Sequence, residues 1–117
     1  MTSFRTTFRR HGTAALITLV GALDALTAPA LRGEVERAAQ HQPSQLVLDM
    51  SGVKYLSSAG LRTLIFARHK MPDGSRIVLV GANEAIQRTM QLVGFHYSVE
   101  FSDRFPFGEG EPGVATS

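Results

Sequence analysis

The chain has 117 residues, of which 44% are hydrophobic and 19% charged, proportions that fit one small globular domain with a moderate core and exclude a disordered chain or a bundle of membrane spans. Twelve Lys and Arg against ten Asp and Glu leave a formal charge of +2, too small an excess to mark a nucleic-acid-binding surface. There is no cysteine, hence no disulfide framework and no thiolate chemistry, a usage that suits the cytoplasm; the four histidines are scattered without metal-ligand spacing.

Phe4, Thr6 and Phe8 alternate with Arg5, Thr7 and Arg9, the period-2 pattern of an exposed edge strand. His11-Gly12 turns the chain into Ala14 to Val20, a continuous and partly β-branched apolar run. It predicts a buried central strand, antiparallel to the first because the connection is too short for a crossover. With Arg5, Arg9 and Arg10 before it and Ala28-Pro29-Ala30 after it, the same stretch has the outline of a secretory signal. Asp24 and Thr27 interrupt it before the cleavage-like site, and it is shorter than the ~20 apolar residues that span a bilayer, so the strand reading is adopted.

Gly21 to Leu26 leads into a first helix, with Thr27 as N-cap, Pro29 in the first turn, and Leu31, Val35, Ala38 and Ala39 as its apolar stripe. Gln42-Pro43-Ser44 ends that helix, and Leu46 to Met50 is a second buried strand. Leu61, Leu64, Ile65 and Arg68 share a face of a second helix, stopped by Met71-Pro72-Asp73-Gly74. Arg76 to Val80 is the next strand. Asn83 caps a third helix that carries Ile86, Met90 and Val93 inward and ends at Gly94, and Val99 to Phe101 is a short last strand. From Gly108 onward G-E-G-E-P-G-V-A-T-S has no apolar period and reads as a mobile tail.

Alternating strands and helices predict a single α/β domain with a mixed, mostly parallel sheet and right-handed crossovers. Sites in such folds gather beyond the carboxyl ends of the parallel strands, which singles out three loops: residues 21–27, 51–58 and 81–83. The middle one ends in Ser57-Ser58-Ala59-Gly60, at a helix start. Either serine can simply cap the helix, a contribution of ~1 kcal/mol. A nucleophilic serine finds no G-x-S-x-G elbow, and a triad would have to recruit His69 or His96 without any local signature. A phosphate-binding loop is excluded by the missing glycines and lysine of its motif. A serine at this place can also receive a phosphate with little damage, because free N–H groups and the positive end of the helix dipole tolerate a dianion, and Ala59 and Gly60 leave the approach open.

The segment LVLDMSGVKYLSSAGLRTLIFARHK resembles the central part of STAS domains, above all the bacterial anti-sigma factor antagonists. GALDALTAPALRGEVERAA resembles the first helix of that family with the Gly-x-Leu-Asp loop before it, and IVLVGANEAIQRTMQLVGF resembles its third strand and helix. Order and spacing fit from about residue 4 to residue 101. Asp49, Gly52, Tyr55, Gly60 and Leu61 stand at family-like positions, and the family's phosphate acceptor falls on Ser58. Two departures are visible: Ser57 replaces the usual aspartate and Ala59 the neighbouring hydroxyl. The final helix that many members carry after the last strand is also expected to be missing.

The resemblance implies a STAS domain over residues 4–103 with a flexible C-terminal tail over 104–117. It implies a non-enzymatic, cytoplasmic partner switch without cofactor or metal. Unphosphorylated, the protein would bind an anti-sigma factor that is itself a serine kinase and so release a sigma factor. Phosphorylation of Ser58 would reverse this, and a serine phosphatase would restore it. The implied contact face comprises Asp24, Ser57, Ser58, Gly60, Leu61 and Arg62, with no direct nucleic-acid or membrane contact. The competing expectation is a stand-alone STAS module that senses a ligand or nucleotide.

Overall fold

The structure is a computed structural model and describes residues 4–107. Strand β1 (Arg5–His11) is followed by β2 (Ala14–Leu23), helix α1 (Ala28–Gln40), β3 (Gln45–Leu56), α2 (Ser58–Lys70), β4 (Arg76–Val80), α3 (Glu84–Leu92), a 3₁₀ turn (Phe95–Tyr97) and β5 (Glu100–Ser102). The sheet order is β1-β2-β3-β4-β5, antiparallel between β1 and β2 and parallel thereafter. Each crossover from β2 to β5 moves one strand further in the same direction. Right-handed connections of that kind place every crossover helix on the same face of the sheet.

The packing shows this asymmetry. On the helix-covered face Ile17, Leu19, Leu46, Leu48, Met50, Ile77 and Leu79 meet Leu31, Val35, Ala38, Leu64, Ala67, Ile86 and Met90. On the opposite face Leu16, Val47, Val78 and Val80 form a smaller cluster, covered by Phe105 and Phe107. Phe107 also lies against the His11 ring, with centroids 4.2 Å apart. Of the segment expected as a tail, residues 105 and 107 thus pack on the sheet, and residues 108–117 lie outside the described part.

Several local expectations need correction. The loop expected at 51–58 is largely strand and the one at 21–27 begins as strand: β2 runs on to Leu23 and β3 to Leu56, paired through Val20↔Gly52, Gly21↔Val53, Ala22↔Tyr55 and Leu23↔Leu56. Register shifts between Thr18 and Val20 and between Gly21 and Ala22 break the alternation, which is why the polar stretch S-G-V-K-Y does not read as strand. Thr27 occupies the N-cap position of α1, but its backbone is helical (φ −101°, ψ −17°) and its side chain makes no cap. Its hydroxyl instead donates to the Ala22 carbonyl at 2.7 Å. Val93, expected inside, is 56% exposed, because α3 stops at Leu92 and the left-handed Gly94 (φ +78°) redirects the chain. Phe95 enters the core instead. Arg68 shares the helix face as expected and has a specific task there: its guanidinium donates to the Ser75 carbonyl and to the Ser75 hydroxyl, both at 2.9 Å, locking the turn into β4.

Candidate protein-interaction site

The carboxyl ends of β2 and β3 set the start of α2. Ser57 is extended (φ −89°, ψ 175°) and donates its N–H to the Leu23 carbonyl at 2.9 Å, so the last bond of the β2–β3 ladder is also the first anchor of the helix. Its Oγ accepts from the Gly60 N–H at 3.2 Å, and its carbonyl accepts from the Leu61 N–H at 2.9 Å. Ser57 is therefore the N-cap, half-buried and committed. Ser58 is the first helical residue, exposed, and its hydroxyl makes no hydrogen bond among the described residues.

Gly60 is buried rather than displayed. A Cβ there would stand 2.5 Å from the Leu23 carbonyl oxygen and 2.8 Å from Leu56 Cδ1, so only glycine lets α2 come this close to the end of β2. Leu61 is half-buried and packs on the core. Arg62 is exposed, with no ion pair or hydrogen bond among the described residues. Asp24 is half-buried, and its Oδ1 accepts from the N–H groups of Leu26 (3.0 Å) and Thr27 (3.1 Å), while its carbonyl accepts from Ala28 N–H at 2.8 Å. It performs the capping expected of Thr27 and shapes the loop into α1.

Ser57, Ser58, Gly60, Leu61, Arg62 and Asp24 thus gather at one end of the sheet, but only Ser58 and Arg62 are fully presented. Between the starts of α1 and α2 runs an open groove of about 340 Å³, lined by Ala25, Ala28, Pro29 and Arg32 on one side and by Ala59, Arg62 and Thr63 on the other. The Arg32 guanidinium carbon lies over the Phe66 ring, 3.9 Å from its centroid. Sequence reasoning missed two apolar members of this end of the molecule: Leu26, 90% exposed in the loop before α1, and Tyr55, 58% exposed near the end of β3. An exposed leucine leaves no periodic trace, though its place in a loop at a strand's carboxyl end was a usable signal.

Electrostatically, the first turn of α2 holds no acidic residue and its last turn holds Arg68, His69 and Lys70. Arg68 and Lys70 oppose the negative end of the helix dipole, and the positive end beside Ser58 is left uncompensated by any acidic residue of that turn. His69 sits on the same helix as Ser58 but eleven residues on, roughly 16 Å along the axis, and His96 lies in the 3₁₀ turn that precedes β5. Neither reaches the serines. Among the described residues no group of three or more His, Asp or Glu side chains is arranged to hold a metal ion, and no helix is long and apolar enough to cross a membrane.

Comparison with known proteins gives the family and the fold. The chain is 28% identical over 92 residues to the anti-sigma-F factor antagonist RsfB of Mycobacterium tuberculosis, covering 79% of this chain and 75% of that protein. The crystal structure of an anti-sigma factor antagonist from Mycobacterium paratuberculosis superposes with a TM-score of 0.79 at 26% identity, covering 88% of each chain. The fold is shared with the Bacillus cell fate determinant SpoIIAA in its phosphorylated form, with a TM-score of 0.66, 15% identity and coverage of 85% of this chain and 90% of that one. A family model described as "Mlab, STAS domain" matches residues 6–100, and the chain therefore belongs to the STAS-domain family.

Proposed function

We propose that this protein is an anti-sigma factor antagonist that works by partner switching, with Ser58 as its phosphate acceptor. The observation that carries the reading is the division of labour between the two serines. Ser57 spends its hydroxyl on the helix cap, whereas Ser58 is exposed, unbonded and placed at the positive end of α2. A phosphate can be added at Ser58 without breaking any bond that holds the fold. The relatives named as antagonists of anti-sigma factors support the assignment of class.

Unphosphorylated, the face around Ser58, Arg62, Leu26 and Tyr55 binds an anti-sigma factor with serine kinase activity, and the sigma factor is released. ATP and magnesium belong to that kinase, and a serine phosphatase resets the switch. A dianion on Ser58 is desolvated against the partner, which costs several kcal/mol unless the partner supplies a counter-charge. The test is incubation of the purified chain with the cognate kinase and ATP, followed by peptide mass spectrometry and a binding assay. One phosphate on Ser58 with loss of kinase affinity is expected. Phosphate on Ser57 only, phosphate on neither serine, or unchanged affinity refutes the reading.

A further inference from the structure

We propose that Arg62 is a positioning residue for the modified side chain, pairing in cis with a phosphate on Ser58; this rests on the reading of Ser58 as acceptor. Ser58 and Arg62 are four residues apart on α2, the spacing that brings side chains together on one face, with Cβ atoms roughly 5–6 Å apart. Both are exposed, and neither the Arg62 guanidinium nor the Ser58 hydroxyl has a partner among the described residues. Two other charges at this end of the sheet are already engaged. Arg32 is stacked on Phe66, two helical turns beyond Ser58, and Asp24 has Oδ1 committed to the amides of Leu26 and Thr27. Lys54 and Glu84 are exposed, on β3 and at the start of α3.

The departures in this chain strengthen the pairing. With a neutral serine as N-cap and no carboxylate in the first turn, nothing next to Ser58 competes with the phosphate for the guanidinium. Arginine meets phosphate as a planar two-pronged donor. Arg62 then lies along its own helix instead of offering its charge at the groove between α1 and α2. The modification removes a free cation from this face as well as adding an anion.

The pairing favours the dianion over the monoanion and lowers the second phosphate pKa below its ordinary value of about 6. The experiment installs phosphoserine at position 58 of the full chain by genetic encoding and follows its ³¹P shift against pH, so it needs no kinase. R62Q is expected to titrate about 0.3 to 0.4 pH unit higher than the parent, the shift that corresponds to ~0.5 kcal/mol for one ion pair at this helical spacing. R62K should lie between the two, and R32Q should match the parent. Amide spectra of the exposed-site variants verify that each remains folded. Coincident titrations for parent and R62Q, or an equal shift in R32Q, overturn the assignment. A failure of the Ser58 reading shows separately, as absence of phosphate transfer in the kinase assay.

Discussion

Replacing each serine by alanine in turn separates capping from acceptance. Ser57→Ala removes the oxygen that accepts from the Gly60 N–H at 3.2 Å. Gly60 is buried, so its N–H finds no ready substitute in water. Loss of a serine N-cap costs about 1 kcal/mol, and in a domain of this size that lowers Tm by roughly 4 °C. Ser58→Ala removes a hydroxyl that holds nothing and puts a better helix former at the first helical position, so its stability stays within about 0.5 kcal/mol of the parent. Ser57→Asp restores both an accepting oxygen and a negative charge at the helix start, and should match or slightly exceed the parent. Thermal unfolding by circular dichroism on the four proteins decides. Equal losses for the two alanine variants, or a larger loss for Ser58→Ala, would refute the division of labour on which the functional reading depends.

Gly60→Ala drives a methyl group to 2.5 Å from the Leu23 carbonyl, and overpacking against backbone should cost about 2–3 kcal/mol in urea unfolding despite the better helix propensity of alanine. Phe105→Ala with Phe107→Ala uncovers Leu16, Val47, Val78 and Val80; for half-buried rings we expect a loss of about 1–3 kcal/mol, whereas deletion of residues 108–117 should leave Tm nearly unchanged. The Arg76 guanidinium holds the Glu100 carboxyl below its usual range through a paired hydrogen bond, with slight burial opposing. Because the folded value lies below the unfolded one, this stabilisation is complete above the unfolded carboxylate pKa of about 4.3 and fades as pH falls through the folded value. R76Q should therefore flatten the acid limb of the stability profile, and an unaltered limb contradicts the pairing. Phosphorylated and unphosphorylated forms should differ in amide shifts around Ser57 to Arg62 only, and changes spreading to β1 would indicate refolding instead.

The element order, the antiparallel first hairpin and the helix stripe of Leu31, Val35 and Ala38 were legible from pattern, because β1 alternates, β2 opens on an unbroken apolar run and α1 buries one regular stripe. The ends of β2 and β3 were not. There the sheet is irregular, two register shifts desynchronise side chains from faces, and Ser51, Lys54 and Tyr55 point outward from a strand whose pairing is made by backbone. The same limit applies to Thr27. Its residue type is right for a cap, but the cap depends on backbone angles that Asp24 dictates by accepting from two successive amides. For the proposed site, residue type and position singled out Ser57 and Ser58, while the choice between them came from the family frame, and their different hydrogen bonding is visible only in three dimensions. The cap at Ser57 exists because β2 ends at Leu23, 34 positions earlier in the chain, where its carbonyl receives the Ser57 N–H.

The size of the charge change indicates how such a switch can work. A phosphate adds about −1.5 to −2 at neutral pH, which takes a chain of formal charge +2 to roughly 0 to +0.5. Exposed charges are screened beyond about 8 Å at physiological ionic strength, and α2 alone is roughly 20 Å long, so the far end of the helix and the sheet barely register the modification. The helix start itself favours the anion by about 0.3–1 kcal/mol. A refolding mechanism would need the opposite sign, an anion that the native state resists. What remains is the proposed contact face, the end of the sheet at which Ser58 and the exposed Leu26 and Tyr55 all lie. A partner that buries those apolar groups also strips water from the phosphate, and several kcal/mol of desolvation far exceeds the small gain at the helix end. The domain can therefore keep one structure in both states and still exchange partners.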